Sequence, residues 1–331
     1  VVAAVAVTVE AGTRMRGQWL RLASVLVLGI LGIIPDLLGL DAITPFAQGM
    51  AFRPIIVVLA IVVAVLLWIF AKSWRGASAL LMVIALVGVC LIAPRVEGSK
   101  PYTASKKLTV LLVNVQTSQA DPAEVAKVIK ARKPDLIGIM EADRIYRERV
   151  QVELGFTDYD GQSAQSDLSP LSAVSVLWST KLGEVTAKVE RKSKFPSWIV
   201  TGPGLGNVTF VAHHGSPPTK ISTETWHEDL AALRTWCGVP GNFIIAGSFN
   251  ASLDHSLFRN AIAGCKDSAA ELGEGLTSTF PQATPRWLGT QIEHIIYKGS
   301  VGAESVEFLD IPTSDHRGQL VTIGVRQPVN P

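Results

Sequence analysis

Three long apolar stretches crowd the first hundred residues, at about Trp19 to Leu40, Pro54 to Ala71 and Ala77 to Ala93. Each approaches the roughly 20 residues that a helix needs to cross a hydrocarbon core of about 30 Å. A buried core helix or a cleaved signal peptide accounts for one such run and not for three in succession with almost no charge inside them. The expectation is a membrane domain over residues 1–96 with three transmembrane helices. Composition agrees, because 48% of the 331 residues are hydrophobic and only 18% charged, which is too apolar for a soluble domain of this size. Met15, followed by Arg16 and the first run, reads as a candidate natural start.

Orientation follows from the short flanks. Arg14, Arg16 and Arg21 lie around the first span, Lys72 and Arg75 fill the turn between the second and third, and the other turn carries Asp36, Asp41 and only Arg53. Basic residues stay on the cytoplasmic side, so the amino terminus is expected there. Three crossings then place everything after Arg95 outside the cell membrane.

Residues 97–107 read as a linker, polar and broken by Gly98 and Pro101. A second domain is expected over 108–331. Its strands are expected at Leu108 to Val113, Asp135 to Met140, Ala173 to Trp178, Asn207 to His214, Phe243 to Ala246, Ile292 to Tyr297, Val306 to Leu309 and Gln319 to Val325. One helix opens at Pro122, and another carries Trp226, Leu230, Leu233 and Cys237 on one side. Strands far outnumber helices, which favours two packed sheets with outer helices over one doubly wound sheet. The formal charge of +2 is small and its basic residues are dispersed, so no electrostatic groove for a long nucleic acid is indicated. Cys237 and Cys265 are open to two readings, a disulfide outside the cell or two buried thiols, and Cys90 falls in an apolar segment.

Several expected strands end in residues that are expensive to bury: Asn114, Glu141, His213 and His214, Asn250, and Glu293 with His294, while Asp315 and His316 precede the last strand. Buried amides, acids and imidazoles must be paired or coordinated, so convergence of these ends would form a polar pocket. Taken singly each has a structural role open to it. The asparagines can cap turns, Glu141 can start a charged helix, and only one of two adjacent strand histidines can face a given cleft.

The segments LTVLLVNVQ, KPDLIGIMEA, FVAHHGSPP, NFIIAGSFNA, QIEHIIY and SDHRGQLV, in this order from Leu108 to Val325, resemble the endonuclease/exonuclease/phosphatase superfamily, and most of all its membrane-anchored bacterial branch. The resemblance implies an α/β (α+β) four-layer sandwich of two mixed sheets flanked by helices, here preceded by the three membrane helices. It implies that Asn114 and Glu141 form the metal-site pair for Mg²⁺ or Mn²⁺ and that His214 contacts phosphate, with His213 as sheet packing. It further implies that Asn250 orients nucleophile and phosphate, that Asp315 and His316 are the terminal acid and imidazole, and that Glu293 holds the His316 ring.

Two positions depart from the family pattern. Ser248 stands where the family has an aspartate, and Glu293 stands where it has the shorter acid. A neutral hydroxyl without a neighbouring base is a poor proton acceptor, and general-base help is worth about 10² to 10⁴ in rate. Asp254, Asp315 or a metal-bound hydroxide are the substitutes that the sequence offers. A serine nucleophile at Ser248 would need an adjacent base. Two functions therefore remain open, a metal-dependent phosphodiesterase or phosphatase with impaired catalysis, and an inactive relative that binds a lipid-linked phosphate or recruits a partner membrane protein. The loop STFPQATPRWLGTQ, with Trp287, either shapes substrate entry or covers a sheet edge.

Overall fold

The computed structural model describes residues 2–326; Val1 and residues 327–331, at the outer ends of the two expected domains, lie outside the described residues. The first helix runs Val2–Ile33, and Met15–Ile33, Arg53–Phe70 and Lys72–Arg95 are long and apolar enough to cross a membrane. The first of these stops short of the expected Leu40. Proline disfavours helical backbone in the residue before it, and Ile34, ahead of Pro35, leaves the helix at φ −131° and ψ 40°. Residues 34–52 then fold into a hairpin of short helical turns, Pro35–Leu38, Leu40–Ala42 and Phe46–Met50. The helices cross closely at Gly88, where a Cβ would lie 2.5 Å from Val57 Cγ2 and 2.7 Å from Ile33 Cγ2. Small residues at such crossings let backbones approach.

Between Arg95 and Lys106 no helix or strand forms, yet the segment is strapped to the second domain by Ser99 N donating to Glu271 O and Tyr102 N donating to Ala303 O. Twelve strands follow: β1 (Lys106–Asn114), β2 (Leu136–Met140), β3 (Tyr159–Ala164), β4 (Val174–Ser179), β5 (Thr186–Glu190), β6 (Ser197–Thr201), β7 (Val208–His214), β8 (Asn242–Ser248), β9 (Lys266–Asp267), β10 (Glu293–Lys298), β11 (Val301–Asp310) and β12 (Arg317–Val325). They make two six-stranded sheets of order β11-β12-β1-β2-β4-β3 and β5-β6-β7-β8-β10-β9. Each sheet is mixed, with one parallel pair, β1 with β2 and β7 with β8.

Three apolar layers hold this four-layer sandwich together. Between the sheets lie Val110, Leu112, Val176, Phe210, Ile244, Ile295 and Ile323, among others. Gly138 lets the sheets approach, since a Cβ there would touch Ala212 Cβ at 3.6 Å and Ala246 Cβ at 3.8 Å. On the far side of the first sheet, Leu111, Ile137 and Ile139 pack beneath helices Pro122–Arg132 and Arg144–Leu154. On the far side of the second, Val211, Ile245 and Ile296 pack beneath the segments Thr223–Ala232 and Arg234–Cys237, together with Phe249 and Phe258. Ala47 of the membrane-side hairpin is fully buried in that last cluster. Cys237 and Cys265 form a disulfide rather than two buried free thiols.

Candidate functional site

Strand register brings the polar ends together. Parallel pairing sets His214 opposite Ser248, and antiparallel pairing sets Glu293 opposite the same Ser248. Directly opposed residues share one face of a sheet, so His214, Ser248 and Glu293 form a row across β7, β8 and β10. In the other sheet Asn114 pairs with Met140, one residue before Glu141, and His316 immediately precedes β12 beside β1. All eight candidates, with Asn250 and Asp315, therefore sit at one end of the sandwich, on loops or strand termini.

Glu141 and Asn250 both follow a strand with left-handed backbone, φ 60° and 51°. Asparagine tolerates this conformation, whereas for glutamate it costs energy that surrounding structure must supply, a pattern typical of functional sites. The surrounding structure is visible: Asn114 Nδ2 donates to Glu141 Oε1 at 2.9 Å, Thr117 N donates to Oε2 at 2.8 Å, and Ser118 Oγ donates to the Glu141 carbonyl at 3.1 Å. Asn250 Nδ2 donates to the Gly215 carbonyl at 2.9 Å, which leaves its amide oxygen to other partners.

One carboxylate oxygen organises the opposite wall. Glu293 Oε1 accepts from Ser248 Oγ at 2.8 Å and lies 2.7 Å from His316 Nδ1. The longer side chain thus reaches the ring at hydrogen-bond distance. Burial opposes charge on His316, but the Glu293 carboxylate, then Asp315 and Glu141, overcome it and raise the imidazole to about 9. Glu293, burial notwithstanding, is lowered by that imidazolium. Burial pushes His214 down to about 4, so it is neutral, and burial also raises Glu141. His214 Nε2 stands 3.7 Å from Glu141 Oε1. Aromatic rings back both imidazoles, Phe195 at 5.1 Å from His214 and Phe280 at 4.9 Å from His316.

His213 faces away, bonded to Ser197 Oγ at 2.8 Å and edge-on to Trp236, as a packing residue. Asp254 is not available as a base, because Arg95 holds both its oxygens at 2.8 and 2.9 Å and Arg53 lies at 3.3 Å. Asp315 is the most exposed acid of the group, at 38%, with Oδ1 3.5 Å from His316 Nε2. The STFPQATPRWLGTQ loop is tied to the site rather than only to a sheet edge. Phe280 packs tilted against His316, Gln282 N donates to the Asp315 carbonyl, and Arg317 fastens the loop through the Ser278 and Gln282 carbonyls. Trp287 itself is 75% exposed. Sequence reading missed Thr117, Phe195 and Phe280; the polar run Gln116-Thr117-Ser118 after β1, all three at positive φ, is the one local signal for the first.

The residues fit a hard cation that keeps most of its water. Asn114 and Glu141 supply an amide and an acid, although among the described residues no group of three or more His, Cys, Asp or Glu is placed to cage an ion. Four buried atoms without a protein partner belong to this cluster, both ring nitrogens of His214, Glu293 Oε2 and Asp315 Oδ1. Buried polar atoms are normally satisfied, so these are poised for a ligand. A cleft of about 420 Å³ lined by Lys130, Lys133, Asp135 and Lys181 lies at the other end of β2 and shares none of these residues.

No match to the sequence was found among curated proteins. Solved structures share the fold. A Danio rerio TDP2 complexed with single-strand DNA product superposes with TM-score 0.54 at 16% identity over 67% of this chain and 100% of that one. The mannosyl-6-phosphatase Bt3783 of Bacteroides thetaiotaomicron gives 0.51 at 16% over 65% and 99%. An endonuclease/exonuclease/phosphatase from Bacteroides vulgatus gives 0.51 at 15% over 67% and 100%. The model of the Endonuclease/Exonuclease/phosphatase family matches residues 111–316, a span that runs from β1 to His316 and encloses every residue gathered at this end of the sandwich. The chain belongs to that family, with a phosphoesterase fold carried behind three apolar helices.

Proposed function

We propose that the chain is a membrane-anchored phosphoesterase, working with Mg²⁺ or Mn²⁺ on a phosphate ester outside the cytoplasmic membrane. The observation that carries this reading is the buried His316 imidazolium, held by Glu293 and within electrostatic reach of Glu141 and of the unpartnered His214 ring. Asn114 and Glu141 would hold the ion, which supplies positive charge to the phosphate and the leaving oxygen. His316 donates to a phosphate oxygen through Nε2, and neutral His214 offers a second donor. Asn250 orients water through its free amide oxygen, and Asp315, open to solvent, takes the proton. The structures similar in fold include a mannosyl-6-phosphatase and a TDP2 complexed with single-strand DNA product, so the ester itself is set by what surrounds this cleft.

Two observations support the outer location. A disulfide, Cys237–Cys265, belongs in an oxidising compartment. Arg53, the one basic residue of the 34–52 turn and its edge, is neutralised by Asp36, while among the described residues Lys72 and Arg75 of the other turn have no acidic partner at salt-bridge distance.

The test is turnover of a nitrophenyl phosphomonoester and diester by the full chain in detergent with each metal. His316→Ala and Glu141→Gln should each lower it by about 10² or more. Turnover that ignores both substitutions and the metal would overturn the reading. Ser248 favours a second reading, since its hydroxyl is fully buried and its proton is committed to Glu293. On that reading the cleft binds phosphate without cleaving it, and sulfate or phosphate binding in the absence of any turnover is the outcome that selects it.

A further inference from the structure

The first apolar helix ends at Ile33, the second begins at Arg53 and the third ends near Arg95, so all three meet the second domain at one membrane face. What they meet is the site end of the sandwich. Residues 215–222 continue from His214, and 249–256 from Ser248; these two loops carry the docking contacts. Gln48 donates to the Pro218 carbonyl, Thr44 Oγ1 lies 3.3 Å from Thr223 Oγ1, and Asp41 accepts from Ser256 N and Oγ. Arg95, at the foot of the third span, holds Asp254, four residues from Asn250.

Four residues of extended chain reach about 14 Å at most. The headgroup layer that carries lipid phosphates is about 5 to 8 Å deep on each side of the hydrocarbon core. Asn250 is therefore tethered within reach of that layer, by buried ionic contacts. Apolar side chains are exposed at this level, beside the exposed Thr219 and Lys220. Ile221 is 98% exposed on the loop between the Pro218 and Thr223 contacts, and Leu37, Leu38 and Ile43 of the hairpin are 61%, 60% and 49% exposed. An isoleucine that far out of the protein, on a loop that continues from His214 and docks against the segment joining the first two apolar helices, is accounted for by lipid around it.

We infer that the cleft takes the phosphate of a lipid resident in the bilayer that its own helices cross, with Ile221 and the hairpin leucines seated among the acyl chains. This rests on the phosphoesterase reading and narrows it from phosphate esters in general to amphiphiles. Tethering to the same surface raises the effective concentration of such a substrate, and a soluble ester gains nothing from it.

The test reconstitutes the full chain, with Mg²⁺, in phosphatidylcholine bilayers. Phosphatidic acid and phosphatidylglycerol within the bilayer are compared with their water-soluble counterparts, glycerol 3-phosphate and glycerophosphoglycerol, for both turnover and binding. The lipid-borne member of a pair should exceed the soluble one by about tenfold or more. Ile221→Asp, which cannot disturb a core it does not touch, should lower the lipid figure by about fivefold or more and leave the soluble figure unchanged. Equal or better use of the soluble ester, or an Ile221→Asp chain that matches the parent on lipid, overturns the inference while the phosphoesterase reading stands. Failure to bind or cleave any of the four removes both.

Discussion

Nδ1 of His316 lies 2.7 Å from Oε1 of Glu293, and this contact sets the charge state of the whole cleft. A histidine raised from 6.5 to about 9 stabilises the fold fully below its unfolded value and loses that contribution as pH rises through about 9. Glu293, lowered from 4.5, contributes above its unfolded value and loses it as pH falls through the lower folded one. Sulfate, which does not titrate in this range, should bind with steady affinity until pH approaches about 9 and then release. Glu293→Gln should move that release to lower pH, and calorimetric titration of sulfate across pH reads it directly.

Ser248 and Glu293 should behave as a coupled pair. Restoring an acid with Ser248→Asp would set two carboxylates at the 2.8 Å contact now made by hydroxyl and acid, and like charges so close raise one pKa strongly. The single change should therefore give little gain in turnover and a loss of about 1–3 kcal/mol in stability. Adding Glu293→Asp withdraws the second carboxylate by one methylene. A coupling of about 0.5–3 kcal/mol is expected in a double-mutant cycle followed by urea unfolding and by turnover. Strict additivity would show that the two positions act independently.

Asp315 is the exposed acid of the site and makes no protein contact through Oδ1 closer than 3.5 Å to His316. Asp315→Asn should lower turnover by about 10² to 10⁴ with little effect on sulfate affinity. A loss of binding with unchanged turnover would transfer its role to positioning.

Asp254 joins the two domains. Removing it leaves Arg95 as an uncompensated buried charge and takes from Arg53 the second of its two acids, Asp36 remaining, at a cost of about 3–5 kcal/mol. Asp254→Ala should melt earlier and expose the 250–260 loop to protease. The exposed pair Lys266–Glu271 is the control, and Lys266→Ala should change stability by less than about 1 kcal/mol.

Ser99 is exposed just after the third helix. A cysteine introduced there should react with an impermeant maleimide from outside intact cells, and protection would reverse the orientation. The Cys237–Cys265 bridge closes a separation of 28 residues, so its loss in Cys237→Ser with Cys265→Ser should cost about 3–4 kcal/mol.

The central strands were legible because each is a short run of apolar residues that ends in a polar one, and β1, β2, β4, β7, β8, β10, β11 and β12 all contain or closely match the expected segments. Four strands were missed: β6, SWIVT, despite its apolar centre Trp198-Ile199-Val200, and three that carry weaker signals. β3, with the sequence YDGQSA, has few apolar side chains, β5 is an edge strand with no fully buried residue, and β9 has two residues. Among site residues, those at strand ends could be named from sequence because burial of a polar group is itself informative. Thr117 acts through its backbone N–H, which any residue supplies, so its identity announces nothing. The hairpin was read as the tail of a membrane span because Leu37, Leu38 and Leu40 continue the apolar run. Only the arrest at Pro35 and the pairing of Asp36 and Asp41 with distant partners reveal it as a docking element.

Ala47 belongs to the same buried cluster as Trp226, Phe249 and Phe258. A fragment cut after the third helix would strip a wall from that cluster, bare an oily patch beside the 249–256 loop, and orphan Asp254 and the His255 ring that now meets the Ala47 carbonyl at 2.7 Å. The three-helix segment is thus an architectural component of the fold and cannot be exchanged for a foreign membrane tail or trimmed off for convenience. Preparations of residues 96–331 alone would report on a different object.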